Sequence, residues 1–343
     1  MTKNTLCILA TSLSVMSFST LAAEDVDIKF YGKAHVSTDY LHDGNNGGVN
    51  VSSNSSRIGL KISNELSPTL ELFGQIERGV DFSEGSSTLK ARDTYIGLRG
   101  DWGTVRFGYI SAPTKAVVSM LEEFRDRAGE GRNIVREGPA NLDLRLKSGV
   151  YYQTPEWQGF QLAVHYGTTN SQGATVDNNN DVFNTSLSYN TGSWTFIGAY
   201  QHDNRNPEQT VEGSRFGVVK EGDGWRLGAI AQHVSGLTDD VSLVSTSMTA
   251  WGVTGRYQLS EQWWLRGQVF GRSYKNTNND SVMATVGVDR NITPKLTWYV
   301  LGSTTQNSDS AMANVTGGGY GDTMDIAIGE DPFALSTGLI FKF

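Results

Sequence analysis

The sequence predicts an all-β fold, a 16-stranded antiparallel transmembrane β-barrel, and three observations support that prediction. Long segments alternate apolar and polar residues with a period of two, which places the two kinds on opposite faces of a sheet. Short turns alternate along the chain with long polar connections, as they do in bacterial outer-membrane barrels. The final segment, residues 332–343, is itself an alternating strand that ends on the aromatic Phe343. In a closed barrel every strand edge is paired, as a membrane-spanning sheet requires.

The clearest predicted strand runs from Val26 to Tyr40, where fifteen residues alternate strictly. Strands of soluble proteins usually have about five or six residues, whereas this one is long enough to cross a bilayer with tilt. The same alternation recurs in shorter segments, namely residues 57–62, 160–166, 251–258 and 262–272. In a soluble sandwich the apolar face would be the core, so periodicity alone leaves both a sandwich and a membrane barrel open.

The lengths of the connections distinguish these two arrangements. Short turns are predicted at residues 64–68, 100–103, 155–159, 190–193, 221–224, 259–261 and 291–294. Longer polar segments alternate with them, at residues 42–50, 168–181, 204–212, 236–244, 276–280 and 306–331. Short turns at one end and long loops at the other are typical of outer-membrane barrels. Counting between these breaks gives about sixteen strands, an even number that brings both ends of the barrel domain to the short-turn side.

The chain is predicted to consist of a secretory signal peptide at residues 1–23 and a barrel domain at residues 24–343. The signal peptide has a basic start at Lys3, an apolar stretch, and a predicted cleavage site after Ala22 or Ala23. Cys7 is the only cysteine in the sequence, so the barrel domain cannot rely on disulfides. Because the signal peptide carries only Lys3, its removal changes the net charge from −8 to −9.

One connection, at about residues 112–144, does not fit a simple surface loop. Residues 116–127 are predicted to form a short helix in a chain otherwise built of strands. Loops of this length are usually functional or disordered. Apolar residues within the segment need something to pack on and therefore argue against disorder; they are Val117, Val118, Met120, Leu121 and Phe124.

Several motifs together resemble the general diffusion porins of Gram-negative bacteria. They occur in the family's order and extend over essentially the whole barrel domain: Tyr31–Lys33, Ser56–Lys61, Arg92–Leu98, Gly103–Gly108, Tyr151–Gly159 and the terminal Phe343. The resemblance implies a homotrimer of 16-stranded barrels in the outer membrane, each with its third surface loop folded into the lumen as a constriction. It implies contacts with lipid, with lipopolysaccharide and, through Phe343, with the assembly machinery. It implies no cofactor, no metal, no nucleic acid and no enzymatic activity.

The resemblance also assigns the charged residues of the constriction. Its basic side falls on the barrel wall at Lys33, Arg57, Arg92 and Arg145, and its acidic side falls on the loop at Glu122, Glu123 and Asp126. Alternation places three of the four bases on the polar face. Arg92 is less certain, because it shares a strand face with Thr94 and Ile96. Acids facing bases across a narrow water-filled opening set up a transverse field that governs the passage of ions and small hydrophilic solutes.

The sign of the charge selectivity stays open at this stage. The same loop carries four bases of its own, at Arg125, Arg127, Arg132 and Arg136.

Alternation also predicts small residues and two charges on the lipid-facing side of the first strands, namely Gly32, Ala34, Gly74, Gly97, Arg78 and Asp93. Because a charge facing hydrocarbon is costly, this surface is predicted to be covered by neighbouring subunits.

Three alternatives remain beside a general diffusion pore. A substrate-specific channel for a sugar or an anion would show aromatic residues along the lumen. An outer-membrane hydrolase would need a nucleophile, a base and an orienting group together, and no such grouping stands out in the sequence. A soluble β-sandwich conflicts with the strand length and with the asymmetry of the connections.

Overall fold

The computed structural model describes residues 26–85, 89–136, 141–168, 181–206, 209–238 and 245–343. The predicted signal peptide therefore lies outside the described residues. The strands are β1 (Asp27–His42), β2 (Gly47–Ser53), β3 (Arg57–Ser67), β4 (Leu70–Gly79), β5 (Lys90–Gly100), β6 (Gly103–Ser111), β7 (Arg145–Gln153), β8 (Phe160–Thr168), β9 (Asp181–Asn190), β10 (Trp194–Asn206), β11 (Gln209–Gly222), β12 (Trp225–Thr238), β13 (Ser245–Gln258), β14 (Trp263–Tyr274), β15 (Ser281–Thr293), β16 (Leu296–Asn307) and β17 (Phe333–Lys342). Two helices, α1 (Thr114–Leu121) and α2 (Arg132–Val135), lie between β6 and β7.

The strands form one closed antiparallel sheet. From β3 to β17 each strand pairs with the next one in sequence, and β1 pairs with β17 from Lys33 opposite Lys342 to His42 opposite Phe333. The described residues form seventeen strands, but β2 and β3 together occupy one position. They do so because β2 pairs with the second half of β1 and β3 pairs with its first half. The predicted barrel of sixteen strands is therefore confirmed.

The break between β2 and β3 is a local irregularity rather than a turn. Ser55 has a φ of 47°, a conformation that interrupts the regular pleat. Pairing with β1 nevertheless continues, because the Asn54 N–H donates to the His35 carbonyl at 2.8 Å and the His35 N–H donates to Ser56 Oγ at 2.9 Å. Both halves of this barrel strand consequently stay attached to β1.

The two faces of the wall have opposite chemistry. The outer face exposes apolar side chains along most strands, such as Ile76, Phe216 and Leu335. The inner face carries buried polar and charged side chains, including His35 and Arg215. This distribution is the reverse of that in a soluble protein and matches a barrel with an apolar outer band and a polar interior. Stacked aromatic pairs near the short turns, such as Trp102 with Tyr152, match an interfacial girdle.

The long connection between β6 and β7 rests against the inner face of the wall. Helix α1 buries Val117 and Leu121 against β11 and β12. At Gly217 a Cβ would lie 2.8 Å from Val117 Cγ1, and at Gly228 it would lie 2.5 Å from Leu121 Cδ2. The wall therefore approaches the helix so closely at these two positions that a larger residue would displace it.

The observed helix is shorter than the predicted helix over residues 116–127. It begins two residues earlier, directly after Pro113, whose φ of −58° suits a helix start. It ends at Leu121, because Glu122 is extended with φ −63° and ψ 117°. A positive φ of 61° at Asp126 then excludes a continuous helix over the remaining residues.

Two of the predicted outward positions face inward. A Cβ at Gly97 would meet Phe73 Cζ at 2.9 Å and Arg106 Cγ at 3.0 Å, and both of those side chains lie inside. The register between β4 and β5 shifts by one residue near Arg78. Asp93 lies on the inner side with Tyr95 and Gly97, and the bulge brings Arg92 to that side as well, since both residues of a bulge can point the same way.

Replacing both Gly217 and Gly228 with valine should release the segment at residues 112–144 from the wall while leaving the barrel folded. We expect trypsin to cleave after Arg125 at least several times faster in this variant, because the displaced helix loses its packing. Mass spectrometry would identify the cleavage site, and SDS resistance would report barrel integrity. Gly198→Val is the matched control, since no atom lies within 4 Å of a Cβ built there. Equal cleavage rates in the two variants would contradict the packing described here.

Candidate pore constriction

Lys33 and Arg57 of the barrel wall meet Asp126 of the connecting segment. Lys33 Nζ lies 2.6 Å from Asp126 Oδ2, and Arg57 Nη1 lies 3.8 Å from the same oxygen. The opposite carboxylate oxygen is 3.2 Å from Arg132 Nη2. The pKa of Asp126 is well below its usual range, because the charges of Lys33 and Arg132 outweigh the cost of burial. Asp126 is therefore a permanent anion held between wall and segment.

Arg92 points inward and contacts an acid that the sequence argument missed. Its Nε lies 2.5 Å from Glu77 Oε1, while Arg57 Nε lies 3.5 Å from Glu77 Oε2. The Tyr31 hydroxyl donates to Glu77 at 2.9 Å. The bulge in β5 explains why strand alternation left Arg92 uncertain. Glu77 could have been found from alternation alone, because it follows the outward Ile76 in β4.

Arg145 extends the same row of bases and pairs with Asp93. The other contacts of Asp93 come from Ser111, whose hydroxyl donates at 3.0 Å and whose N–H donates at 3.2 Å. The predicted outward orientation of Asp93 is thus wrong, and the carboxylate compensates an inward arginine. The structure brings all four predicted wall bases to the same side of the lumen.

Glu123 lies at a different place from Asp126. Its side chain is 1 % exposed and forms ion pairs with Arg266, with Arg226 at 3.4 Å and with Arg256 at 3.9 Å. These arginines belong to β12, β13 and β14, which lie four to six strands away from β1 and Lys33 around the sheet. The acidic group predicted as one side of the constriction is consequently divided between two regions of the wall.

Glu122 differs from both of these acids because no base pairs with it among the described residues. Its Oε1 accepts the Phe124 N–H at 3.1 Å, whereas its Oε2 is buried without a hydrogen-bond partner in the described part of the chain. Burial, followed by the charge of Glu130, raises the pKa of Glu122 to about 8. At neutral pH this carboxyl is mostly protonated, so it contributes little negative charge.

Arg127 anchors the segment through contacts that the sequence did not indicate. Its two terminal nitrogens lie 2.7 and 3.0 Å from the two oxygens of Asp289 on β15. The guanidinium also lies over the Tyr299 ring, 4.2 Å from its centroid. Bidentate pairing of this kind fixes orientation as well as position. Arg127 therefore holds the segment to the wall and offers little charge to the lumen.

A cavity of about 380 Å³ lies between the segment and the row of wall bases. Its charged lining residues are two acids, Asp126 and Asp143, and seven bases, namely Arg57, Arg92, Lys115, Arg125, Arg132, Arg136 and Arg145. Asp143 is already paired with Arg215 at 2.6 Å. Burial is the main cause that lowers the pKa of Lys115, to about 7. The lining is positive, and Lys115 makes the amount of positive charge dependent on pH.

None of the helices in the described part of the chain is long and apolar enough to cross a membrane. Within the same part of the chain, no group of three or more His, Cys, Asp or Glu could hold a metal ion.

Comparison with known proteins identifies the relatives of this chain. A family model described as Gram-negative porin matches residues 9–310. The outer membrane protein YedS of Escherichia coli is 27% identical over 54% of this chain and 53% of its own length. Chitoporin of Vibrio furnissii is 29% identical over 55% of this chain and 52% of its own length. The chain thus spans about half the length of the curated relatives it matches.

Solved structures share the fold. The anion-selective porin from Comamonas acidovorans has a TM-score of 0.79 and 16% identity, covering 93% of this chain and 100% of that one. The trimer form of OmpT from Vibrio cholerae has a TM-score of 0.69 and 14% identity, covering 93% and 99%. At these identities the likeness concerns the barrel architecture.

Asp126→Asn should destabilise the folded protein at neutral pH by roughly 3 kcal/mol, because it leaves Lys33 and Arg132 without their shared anion. Denaturant unfolding in detergent, followed by tryptophan fluorescence, would measure the difference. A carboxyl whose pKa falls on folding stabilises the protein above its unfolded value of about 3.9, and that contribution is lost as the pH falls through the folded value. The gap between variant and parent should therefore shrink only below about pH 4.

Glu212→Gln is the control for this prediction, because Glu212 pairs with His202 on the exposed surface. An exposed pair of this kind contributes about 1 kcal/mol or less. An equal loss of unfolding free energy in the two variants would contradict the central role of Asp126 in this network of ion pairs.

Proposed function

Because the chain belongs to the Gram-negative porin family, we propose that it is an outer-membrane general diffusion porin that favours anions. Small hydrophilic solutes and ions pass through the water-filled lumen without energy coupling. The proposal rests mainly on one observation, the excess of bases over acids around the cavity beside Asp126. It requires no cofactor and no catalytic group.

Pairing of the acids supports the preference for anions. Asp126 and Asp143 are both held by bases, and Glu122 is mostly neutral. By contrast, Arg125 is exposed to the lumen. A narrow opening with low-dielectric walls concentrates the field of such charges, and rows of charge set ion selectivity. Four of the seven lining bases are paired with acids outside the lining, namely Arg57 and Arg92 with Glu77, Arg132 with Glu130 and Arg145 with Asp93. Within the described part of the chain, an anion entering the cavity therefore meets uncompensated charge at Lys115, Arg125 and Arg136.

The negative net charge of the whole chain does not oppose this reading. Exposed charges separated by more than about 8 Å are largely screened at physiological ionic strength. Acids on the outer loops, such as Asp43 and Glu84, therefore act weakly on ions inside the barrel. The structural likeness to a porin whose name describes it as anion-selective is consistent with the local charge.

We further propose a homotrimer, with the outer face of the first strands as its interface. Gly74 leaves that surface open to close approach, whereas the Phe343 ring of the same chain covers Gly32. Arg78 on the same side donates to Thr94 Oγ1 at 2.9 Å instead of facing lipid unpaired. The trimer form of a structural neighbour supports this assembly. Lipid and lipopolysaccharide would surround the remaining outer face. The assembly machinery of the outer membrane would recognise Phe343.

Single-channel recording in a potassium chloride gradient tests the selectivity. The reversal potential should show chloride permeating at least about twofold better than potassium, given uncompensated charge at close range. Replacing both Arg125 and Arg136 with glutamine should lower this ratio by roughly half, because two lining charges are lost. Arg290→Gln is the control, since Arg290 lies against Trp263 at the end of the wall. A cation-selective parent protein would overturn the proposal.

The anion preference should weaken as the pH rises from 6 to 9. Lys115, whose pKa is lowered to about 7, loses its positive charge over this range. Glu122, whose pKa is raised to about 8, gains a negative charge over the same range. Both changes make the lumen less positive as the pH rises. Reversal potentials at pH 6, 7.5 and 9 would measure the trend, and the double variant Lys115→Met, Glu122→Gln should make it flat.

A further inference from the structure

A patch of aromatic rings and guanidinium groups covers the inner wall between the basic cavity and the short turns. Arg106 lies with its guanidinium 3.9 Å from the centroid of Tyr151 and 5.3 Å from that of Tyr95. Arg99 lies 4.6 Å from the centroid of Phe73. Phe73 and Tyr95 meet edge to face at 6.0 Å between centroids. Three rings and two planar cations thus form one continuous surface.

The position of these side chains follows from the strand register. Gly97 of β5 lies directly between Phe73 of β4 and Arg106 of β6. With no side chain at Gly97, the Phe73 ring and the Arg106 stem can both lean over that position. The outward neighbours Ile96 and Phe107 are exposed on the opposite face, so the patch belongs to the lumen.

The patch carries uncompensated positive charge. Among the described residues no carboxylate forms an ion pair with Arg106, and its Nε is buried without a hydrogen-bond partner there. Arg99 is paired with Glu71 at 2.8 Å, but its side chain is 55 % exposed. A guanidinium stacked on a ring keeps the in-plane N–H donors at its edge free to bind an anion.

A cavity of about 390 Å³ opens in front of this surface. Phe73, Tyr95, Arg99 and Arg106 line it together with Gly103 and Pro155 of the short turns. Its size lies within the range of about 300–1,000 Å³ that small-molecule sites occupy. A molecule leaving the basic cavity beside Arg92 and Arg145 toward the short turns would pass along this wall.

We infer that this patch is a binding subsite for aromatic carboxylates, small anions whose charge is attached to a planar ring. The ring would stack on Phe73 and Tyr95, and the carboxylate would accept hydrogen bonds from Arg106 and Arg99. This inference rests on the proposed function, since it requires that anions reach the lumen. It adds a preferred class of solute to a pore that otherwise discriminates only by size and charge.

Charge and shape together favour this class over neutral sugars. Sugars also stack on aromatic rings, but they have no formal charge to match Arg106. A short aliphatic anion would match the charge and leave the rings unused. Only a ligand with both a negative charge and a planar ring contacts the whole surface. Probes that carry one of these two features alone can therefore test the contribution of each.

Benzoate is the first probe, tested as a blocker of the chloride current through single channels of the parent protein. Cyclohexanecarboxylate has the same charge and similar size without a planar ring, and benzyl alcohol has the ring without the charge. We expect benzoate to block at concentrations roughly three- to tenfold lower than either, the range that one aromatic contact supports. Addition from the short-turn side should act faster, because the patch lies near that end.

Two variants locate the site. Phe73→Leu should raise the half-blocking benzoate concentration by roughly threefold or more and leave the action of cyclohexanecarboxylate unchanged. Arg106→Gln should weaken both carboxylates. Arg256→Gln is the matched control, since it also removes a lumen arginine near a ring, at 5.5 Å from Trp264, but from the opposite wall. It should leave the benzoate-to-cyclohexanecarboxylate ratio unchanged.

The outcomes separate this inference from the proposed function. Equal block by benzoate and cyclohexanecarboxylate, or the same benzoate block in Phe73→Leu as in the parent, would overturn the subsite while leaving anion selectivity intact. Block by benzyl alcohol or glucose as strong as that by benzoate would show a neutral-ring or sugar site instead. A reversal potential favouring potassium would overturn the proposed function, whatever the probes do.

Discussion

The arrangement of the lumen depends on the ion pairs that hold the β6–β7 segment to the wall. Asp126 accepts Lys33 of β1, and Arg127 pairs with Asp289 of β15, three strands away around the sheet. Each contact is buried, so each is screened little by salt. Breaking either would leave a charge without its partner, which costs more than the pair itself contributes. The segment is thereby fixed to this part of the wall, and the lumen charges near it are placed relative to it.

Closing the sheet is the constraint that makes this placement possible. A barrel has no free edges, so its inner face can carry polar side chains at positions set by strand register alone. Glycines at the points of closest approach, Gly217 and Gly228, then let α1 lie against the wall. The tilt and pairing of the strands thus decide which side chains come to face Asp126, Glu123 and Arg127.

Alternation in the sequence predicted the wall well, since a period of two is a direct consequence of strand geometry. It placed Lys33, Arg57 and Arg145 correctly on the inner face. It was undecided at Arg92, because a bulge between β4 and β5 places Arg92 and Asp93 on the same side of the wall. Bulges leave no simple mark in a single sequence. The outward placement of Asp93 and Gly97 was wrong, although both residues alternate regularly with the outward Ile96.

The acids of the segment show a different limit of sequence reasoning. Glu122, Glu123 and Asp126 look equivalent along the chain, yet one is mostly neutral, one is buried among three arginines and one pairs with Lys33. Their charge depends on contacts with strands far away in sequence, which no local pattern encodes. Selectivity therefore follows from the charges that remain uncompensated in the lumen rather than from how many acids the segment contains. By that criterion the proposed preference for anions depends on the bases around the cavity and not on the acids first singled out.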